Sequence, residues 1–182
     1  TILTGVIYPF AMTGLAQVLF NHQANGSLIT DAKGQVVGSE IIGQLFTKPQ
    51  YFHGRPSAAV SATSPNGYAA DASAGTQRGP TSTYLLTTTV ALADQIRKED
   101  GLPPTYPLPA DAVSSSASGL DPNISPTYAD LQVARVARVR GLSQDRVRAL
   151  VQQYTTGRDL GVLGEPRVNV LLLNQALDRV IK

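Results

Sequence analysis

The sequence predicts a single N-terminal transmembrane α-helix followed by a helix-rich mixed α/β domain with short strands and long loops. Residues 1–20 contain no charged side chain, and the first charged residue is Asp31. Twenty helical residues rise about 30 Å, which is the approximate thickness of a bilayer's hydrocarbon core. The later chain alternates amphipathic stretches with segments rich in proline, glycine and serine. We therefore divide it into a transmembrane helix over 1–20 and a soluble domain over 21–182.

One face of the predicted transmembrane helix consists of small residues. Gly5, Pro9, Thr13 and Ala16 follow one another at spacings of four, four and three, which places them on the same side of a helix. Small residues let a second helix approach closely, and this is how helices associate in a membrane. Pro9 lacks a backbone donor and predicts a kink. We expect this face to pack against a partner helix.

Three other interpretations of the first stretch remain open. A cleaved signal peptide needs a cleavage site with small residues two positions apart, and Ala24 with Gly26 resembles one. A buried helix of a soluble protein and a re-entrant or interfacial segment are the other two. Charge does not assign the side of the membrane, because the positive-inside rule fails for long domains.

Composition excludes several classes of protein and of site. Charged residues make up 15% of the 182 residues, with 16 glycines and 12 prolines, which is typical of a loop-rich globular domain rather than a disordered one. The net charge of +2 is too small to indicate nucleic-acid binding. The absence of cysteine excludes disulfides, thiolate metal sites and a cysteine nucleophile.

Short strands and one short helix are predicted directly after the first stretch. Residues 28–30 and 35–37 are strand-like runs on either side of a turn. Ser39 predicts the N-cap of a helix over 40–46, and Pro49 follows as a stop signal.

The segment over 51–80 shows no helical pattern. It opens with two aromatic residues, a histidine and an arginine around a Gly-x-Pro bend. Residues 59–80 are rich in alanine, serine, glycine and asparagine and contain almost no large apolar side chain. A loop of this length is either functional or held against another part of the protein.

Capping residues and glycines mark the helices of the remaining chain. The predicted helices are one to about residue 100 after Thr81 or Ser82 with Gly101 as its stop, one from Pro126 to Arg140 after Ser125 with Gly141 as its stop, one after Ser143, and one after Asn169 to about Ile181. Their apolar stripes predict the faces turned to the core. The inward residues are Leu85, Thr89, Leu92 and Ile96, then Val147, Leu150, Val151 and Tyr154, then Val170, Leu173, Leu177 and Val180.

The segments between these helices are predicted to be connectors. Four prolines in 102–109 indicate an extended segment, 110–113 is a short strand or a turn of helix, and 114–123 is a loop of small residues. The glycines over 157–164 have neither phosphate-loop nor dinucleotide-binding spacing, so we interpret them as a flexible connector.

Residue spacing alone reveals no catalytic or metal-binding arrangement. His22 and His53 are far apart, so we interpret His53 as structural, and the serines at 114–116 lack the nucleophile elbow of hydrolases. The carboxylates that could pair for acid–base work, although their spacing does not force them together, are Asp111, Asp121, Asp159 and Glu165. The densest basic region, which we interpret as solvated helix faces with lipid headgroups or an acidic partner as the alternative, is Arg135, Arg138, Arg140, Arg146 and Arg148.

Five stretches together resemble one protein family. They are GVIYP at 5–9, QANGSL at 23–28, YFHGRPS at 51–57, SGLDPNISP at 118–126 and GEPRVNVLLLN at 164–174. In this order, and over almost the whole chain, they resemble the C subunit of the Kdp-type potassium-transporting ATPase of bacteria and archaea. The stretch over 59–83 is only loosely alike, and 110–113 match weakly.

The resemblance implies a non-catalytic subunit in the bacterial cell membrane, with a single transmembrane helix and its main domain on the extracytoplasmic side. The implied partners are a channel-like potassium-binding subunit, a P-type ATPase subunit, a small helical subunit and membrane lipid. ATP and potassium are used by that complex, and we expect no catalytic residue, cofactor or metal ligand in this chain. The motif residues expected to have structural roles are Tyr51, His53, Arg55, Pro56, Asp121, Pro122, Glu165 and Asn169.

The resemblance also implies a catalytic chaperone that raises the ATP affinity of the ATPase subunit. A domain outside the membrane does not reach ATP in the cytoplasm, so that effect would be a coupling free energy carried through the complex. We therefore expect a supporting and gating role at the potassium entrance, with direct ATP contact as the less favoured alternative.

Two further expectations concern the domain itself. The loops at 51–57 and 118–126 are expected to lie side by side, with Arg55 binding several carbonyls through its planar guanidinium. The alternative from another class is an independent membrane-anchored extracytoplasmic hydrolase or solute-binding domain. A hydrolase requires a pocket that gathers a serine, His53 and an aspartate.

Overall fold

The chain forms two compact units in the computed structural model, which describes residues 1–31 and 33–180. The first unit is Thr1–Ile41, and the second begins at Ile42. Both contain helices and short strands, which confirms the helix-rich mixed α/β class.

The first unit begins with a helix that changes type at Tyr8. Leu3–Ile7 is a π-helix in which the Tyr8 amide donates to the Leu3 carbonyl, and α1, Tyr8–Leu19, follows directly. Pro9 is the second residue of α1, and because helical structure precedes it, its ring provides no amide donor for the preceding turn. The structure thus places a π-helical segment beside the residue at which the sequence predicts a kink.

No residue of α1 is buried, and all of them except the half-buried Ala16 are exposed. Its largest exposed apolar residues are Tyr8, Phe10, Met12, Leu15, Val18 and Leu19. Among the helices within 1–31 and 33–180, none combines the length and the apolar composition needed to cross a membrane.

A short helix and a hairpin complete the first unit. The short helix is α2, Asn21–Ala24, and the hairpin strands are β1, Leu28–Thr30, and β2, Val36–Ser39. The strands pair in antiparallel fashion. In the turn, the Asp31 carboxylate accepts hydrogen bonds from the amides of two following residues. Both predicted strands are confirmed, the second being displaced towards Ser39.

The predicted helix over 40–46 is wrong. Ser39 ends β2 instead of capping a helix, and 43–47 have no regular structure. The Gly43 amide donates to the Leu120 carbonyl at 2.8 Å, and a side chain at Gly43 would collide with the ring of Tyr68. This contact with a distant loop holds the backbone in an extended path, which local helix propensity does not overcome.

Over residues 42–180, the second unit contains five helices and a three-stranded antiparallel sheet in the order β3-β5-β4. Its elements are α3 Thr83–Asp100, α4 Ala110–Val113, β3 Asn123–Ile124, α5 Pro126–Arg140, α6 Gln144–Gln153, β4 Thr155–Thr156, β5 Arg167–Asn169 and α7 Val170–Val180. The predicted caps are confirmed. Backbone amides in the first turns donate hydrogen bonds to the side chains of Ser82, Ser125, Ser143 and Asn169. Two helices end at a glycine in the left-handed conformation, Gly101 and Gly141.

Helix α5 forms the centre of the second unit's core. Val133 and Val136 are fully buried there and join one apolar cluster with Val147 of α6 and Leu173 and Leu177 of α7. The predicted inward faces of α3, α6 and α7 are confirmed, because the residues named for them are all buried or half-buried. The sheet places Val168 of its central strand in the same cluster.

Candidate functional site

The segment 49–53 crosses the core without belonging to a sheet, and buried side-chain amides bind its backbone. Asn174 of α7 accepts from the Phe52 amide at 2.8 Å and donates to the Phe52 carbonyl at 3.0 Å. Gln132 of α5 does the same for His53, at 2.8 and 3.1 Å. Each amide side chain therefore takes the place of a neighbouring strand, which allows Phe52 to be fully buried.

A buried ion pair holds the beginning of the same segment. The Arg135 guanidinium donates to the Asp100 carboxylate at 2.7 Å and to the carbonyls of Pro49 and Tyr51 at 2.6 and 2.9 Å. Burial raises the pKa of the Asp100 carboxyl, and the guanidinium of Arg135 opposes that shift. These bonds satisfy a guanidinium whose side chain is only 2% exposed.

The interpretation of the arginine cluster as solvated helix faces is therefore wrong for two members. Arg135 is buried, and the side chain of Arg140 is only 5% exposed, since it donates to the Gln50 carbonyl and to Asp178. Arg138, Arg146 and Arg148 are exposed as predicted. The helix positions of the two buried residues face the 49–53 segment, which sequence periodicity does not reveal.

The Tyr51 ring lies against the guanidinium of Arg140. The Arg140 guanidinium carbon stands 4.9 Å from the centre of the Tyr51 ring, and the Tyr51 hydroxyl donates to Asp178 at 3.0 Å. Burial, followed by the bond to Asp178, raises the pKa of the Tyr51 hydroxyl. The arrangement ties the motif residue Tyr51 to α5 and α7.

The His53 ring contacts a carbonyl and a carboxylate. Its Nε2 lies 3.2 Å from the Lys48 carbonyl oxygen, and its Nδ1 lies 3.7 Å from a Glu99 carboxylate oxygen. Burial, followed by the nearby charge of Arg135, lowers the pKa of His53. Within 1–31 and 33–180, no serine hydroxyl is hydrogen-bonded to this ring, so the serine–histidine contact of a hydrolase is missing there.

Arg55 joins the loops at 51–57 and 118–126 to the loop at 114–116. Its guanidinium donates to the Ser114 carbonyl at 3.3 Å, to the Ser115 carbonyl at 3.2 Å and to the Asp121 carboxylate at 3.3 Å. Asp121 in turn accepts from the Asn123 amide at 2.9 Å, so it orders the turn that enters β3. The structure thus places the two motif loops side by side.

Tyr68 lies beneath these loops and anchors the long segment over 59–80. Its hydroxyl donates to the Arg55 carbonyl at 2.8 Å, and its amide donates to the Ser57 hydroxyl at 2.8 Å. A side chain at Gly54 would meet the Tyr68 hydroxyl at 2.5 Å. Burial raises the pKa of Tyr68 to about 12. The long segment is therefore held against the motif loops.

Two further motif residues, Asp121 and Glu165, lie with Arg55 around a cleft of about 400 Å³. Its lining is formed by Arg55, Ala110, Asp111, Asp121, Asn123, Ile124, Ser125, Glu165, Pro166 and Arg167. The carboxylates around it have partners: Asp111 accepts from the Ser125 amide and hydroxyl, and Glu165 pairs with Arg158. Asp159 pairs with Arg167 instead of another acid. In the described chain, no three histidine or carboxylate groups are placed to hold a metal ion.

Two prolines and an asparagine of the motifs lie outside this cleft. The Pro122 carbonyl accepts from the Val170 amide at 2.9 Å, which joins the 118–126 loop to the start of α7. The Asn169 side chain caps that helix by accepting from the Leu172 amide, and Pro56 lines, together with Tyr68, a cavity beside the motif loops.

Gln132, Asn174 and Asp100 were missed by the sequence reasoning. A signal was available for the first two, because Gln132 follows Tyr128 by four residues and Asn174 follows Val170 by four, both at inward positions of an apolar stripe. A polar residue at such a position needs a buried partner. Nothing in the spacing identifies that partner as the backbone of residues 52 and 53.

Comparison with known proteins identifies the family. The model of the family described as "KdpC: K+-transporting ATPase, c chain" matches residues 1–179. The chain belongs to the KdpC family. This confirms the resemblance seen in the five stretches.

Individual family members are similar over nearly the whole chain. A potassium-transporting ATPase KdpC subunit of Gemmatimonas aurantiaca is 55% identical over 97% of this chain and 85% of its own length. Those of Myxococcus xanthus and Methylococcus capsulatus are each 53% identical over 98% of this chain, and over 82% and 90% of their own lengths. Membership of the KdpC family makes this chain an accessory subunit in potassium transport.

Proposed function

We propose that this chain is a non-catalytic, single-pass subunit of the potassium-transporting ATPase complex in the bacterial cell membrane, with its main domain on the extracytoplasmic side. The observation that carries the proposal is the surface of the first stretch. Residues 1–20 contain no charge, and apolar side chains such as Phe10 and Val18 are 71% and 81% exposed. Apolar side chains on that scale are stable in lipid or against another apolar surface.

Its partners in this proposal are the channel-like potassium-binding subunit, the P-type ATPase subunit and the small helical subunit. The small-residue face of Gly5, Pro9, Thr13 and Ala16 packs against one of their membrane helices. An added side chain at Gly5 meets nothing of this chain within 4 Å. The space beside Gly5 is thus open for a neighbouring backbone.

The main domain supports the complex as a rigid body in this proposal. The polar side chains of the motifs hold loops to helices, as Arg55, Gln132 and Asn174 do. An influence on ATP binding by the ATPase subunit, the role of a catalytic chaperone, is then an indirect coupling through the complex or through the potassium entrance. ATP and potassium are used by the complex, with no cofactor bound by this chain.

The test is co-purification from the solubilised membranes of cells that also express the other subunits. A tag at the carboxyl end recovers the chain, and mass spectrometry identifies what accompanies it. We expect a P-type ATPase and a large polytopic membrane protein in a fixed ratio. Recovery of this chain alone, in detergent mild enough to preserve other complexes, would contradict the proposal.

A double variant examines the packing face. Gly5→Leu with Thr13→Leu adds bulk to the proposed face, and we expect it to reduce recovery of the partners. Gly14→Leu with Ala11→Leu adds similar bulk to the opposite side of the helix, where Gly14 also has open space. This control should recover the partners as the original chain does. Equal recovery with both double variants would show that the small-residue face is not the contact.

A further inference from the structure

The connection between β4 and β5 exposes three large aliphatic side chains to water. Leu160 is 90% exposed, Val162 74% and Leu163 57%, and we name these three residues the apolar tip. Leu160 is the most exposed of the large apolar residues in the described part of the chain. Single exposed apolar residues are common, but three within four positions form a patch of the kind found at binding sites.

The apolar tip lies in a hairpin that is closed by backbone hydrogen bonds and ion pairs, within the segment predicted to be a flexible connector. Asp159 and Leu163 form an antiparallel bridge, with hydrogen bonds of 2.8 and 2.9 Å between their backbones. Arg158 pairs with Glu165 at 2.8 Å, and Arg167 pairs with Asp159 at 3.3 Å, so ion pairs close the base. A loop ordered before binding loses less conformational entropy when it binds.

The backbone at the summit is in an unfavourable conformation for its residue. Leu160 has φ of +53°, in the left-handed region that glycine and asparagine tolerate and branched apolar residues avoid. A leucine that is both strained and exposed does not contribute to the stability of this chain. Such a residue points to a role outside the chain.

The chemistry of the hairpin favours a protein partner over lipid. The apolar tip contains leucine and valine but none of the tryptophan, tyrosine or free basic residues that anchor loops at membrane surfaces. Its base has two arginines and two acids, and each arginine is paired with an acid, so the net charge there is zero. A base without net charge offers no electrostatic attraction to anionic lipid.

We propose that the apolar tip inserts into an apolar pocket on another subunit of the potassium-transporting ATPase complex. The proposal rests on the proposed function, because it takes its partner from the same complex. Leu160 is the anchor that fills the pocket, and Val162 and Leu163 exclude water around it. Transfer of these aliphatic side chains from water into an apolar pocket is favourable in proportion to the apolar area that is removed from water.

Photo-crosslinking in membranes that contain the whole complex tests the location of the apolar tip. A benzoylphenylalanine replaces Leu160, and the same replacement of Leu86, which is 64% exposed on α3, is the control. We expect an adduct with another subunit from position 160 and none from position 86. An adduct with lipid, an adduct with a second copy of this chain, or no adduct from position 160 would each overturn the proposal.

The variant Leu160→Asn tests contact with the partner separately from the thermal stability of this chain. Asparagine tolerates the left-handed conformation, so we expect the variant to be at least as thermally stable as the original chain. We also expect it to recover about tenfold less of the partner in salt and detergent washes, since one large aliphatic contact is lost. Leu86→Gln should leave recovery unchanged. Equal recovery with Leu160→Asn would overturn the proposal.

Recovery of the other subunits with the original chain distinguishes a failure of this proposal from a failure of the proposed function. If the original chain recovers the other subunits while Leu160→Asn recovers them equally, only the role of the apolar tip is wrong. If the original chain recovers no other subunit, the proposed function and the role of the apolar tip are both wrong.

Discussion

In this protein, individual side chains bind backbone groups that a neighbouring strand would usually pair. Asn174 and Gln132 each bind both polar groups of one peptide residue, and Arg135 binds two more carbonyls of the same segment. Removal of one partner leaves buried polar groups unsatisfied, which is more costly than the net gain from forming the bond. The segment at 49–53 therefore depends on a few buried polar residues.

Arg55 has a comparable position between three loops. We expect Arg55→Ala to lower the free energy of unfolding by about 1–3 kcal/mol, because it removes bonds to two carbonyls and to a carboxylate in a partly buried site. Denaturant unfolding measures this change. Arg148→Ala is the control: its ion pairs lie at the surface, so we expect a loss below about 0.5 kcal/mol. Equal losses in the two variants would show that Arg55 does not brace the loops.

The lowered pKa of His53 predicts how the free energy of unfolding depends on pH. Its pKa is lowered in the folded protein, so the unfolded chain binds a proton more readily as pH falls through about 6.5. The contribution of neutral His53 is thus complete above that pH, and the free energy of unfolding should decrease as pH drops from about 7 towards 5. Urea unfolding at a series of pH values measures the slope.

His53→Gln identifies the source of that slope. The variant removes the titrating ring and keeps the neighbouring charges of Glu99, Asp100 and Arg135. We expect a shallower loss of stability between about pH 7 and pH 5. If the variant and the original protein gave parallel profiles, the pH dependence would come from other groups.

At the scale of elements, local signals in the sequence predict the helices well. Ser82, Ser125 and Ser143 accept the expected amides, because a cap depends on residues only three positions apart. The helix over 40–46 is wrong because the path there depends on Gly43 meeting Leu120. Contacts between distant loops leave no periodic pattern in the sequence.

In the candidate site, too, the sequence predicts local features but not the contacts between distant loops. The sequence identifies the motif loops and suggests a bracing arginine, but it does not pair Arg55 with Asp121 rather than with another acid. Nor does it reveal that Tyr68, from a loosely similar loop, lies beneath them. The packing of three irregular loops decides these contacts, and no rule of spacing describes such packing.

Two glycines at loop and helix ends offer a matched comparison. Gly101 and Gly119 both have φ of +69°, a left-handed value at which alanine is strained in either position. A side chain at Gly101 meets nothing within 4 Å, whereas at Gly119 it would lie 2.8 Å from the Ala59 amide nitrogen. We expect Gly101→Ala to cost about 1–2 kcal/mol and Gly119→Ala at least about 1 kcal/mol more. Thermal unfolding of both variants measures the difference, and equal costs would mean that the loops at Gly119 move apart readily.

At the scale of the whole molecule, the core belongs to the second unit alone. Every member of the main apolar cluster comes after Ile42, from Phe46 to Leu177. The first unit buries Ile29 as its one core residue among those described and leaves α1 exposed. A core formed within one continuous stretch of chain is the condition for independent folding.

We therefore expect a fragment that begins at Ile42 to fold without the first unit. It keeps the buried pair of Arg135 and Asp100, both amide side chains that bind 52 and 53, and the whole apolar cluster. Its thermal unfolding should be cooperative, with a helical circular dichroism spectrum, because none of these contacts involves the removed residues. Arg55→Ala in the fragment should cause the same loss of stability as in the full chain. A fragment without a cooperative transition would show that the second unit needs the first in order to fold, and the role of residues 1–41 would then extend beyond anchoring.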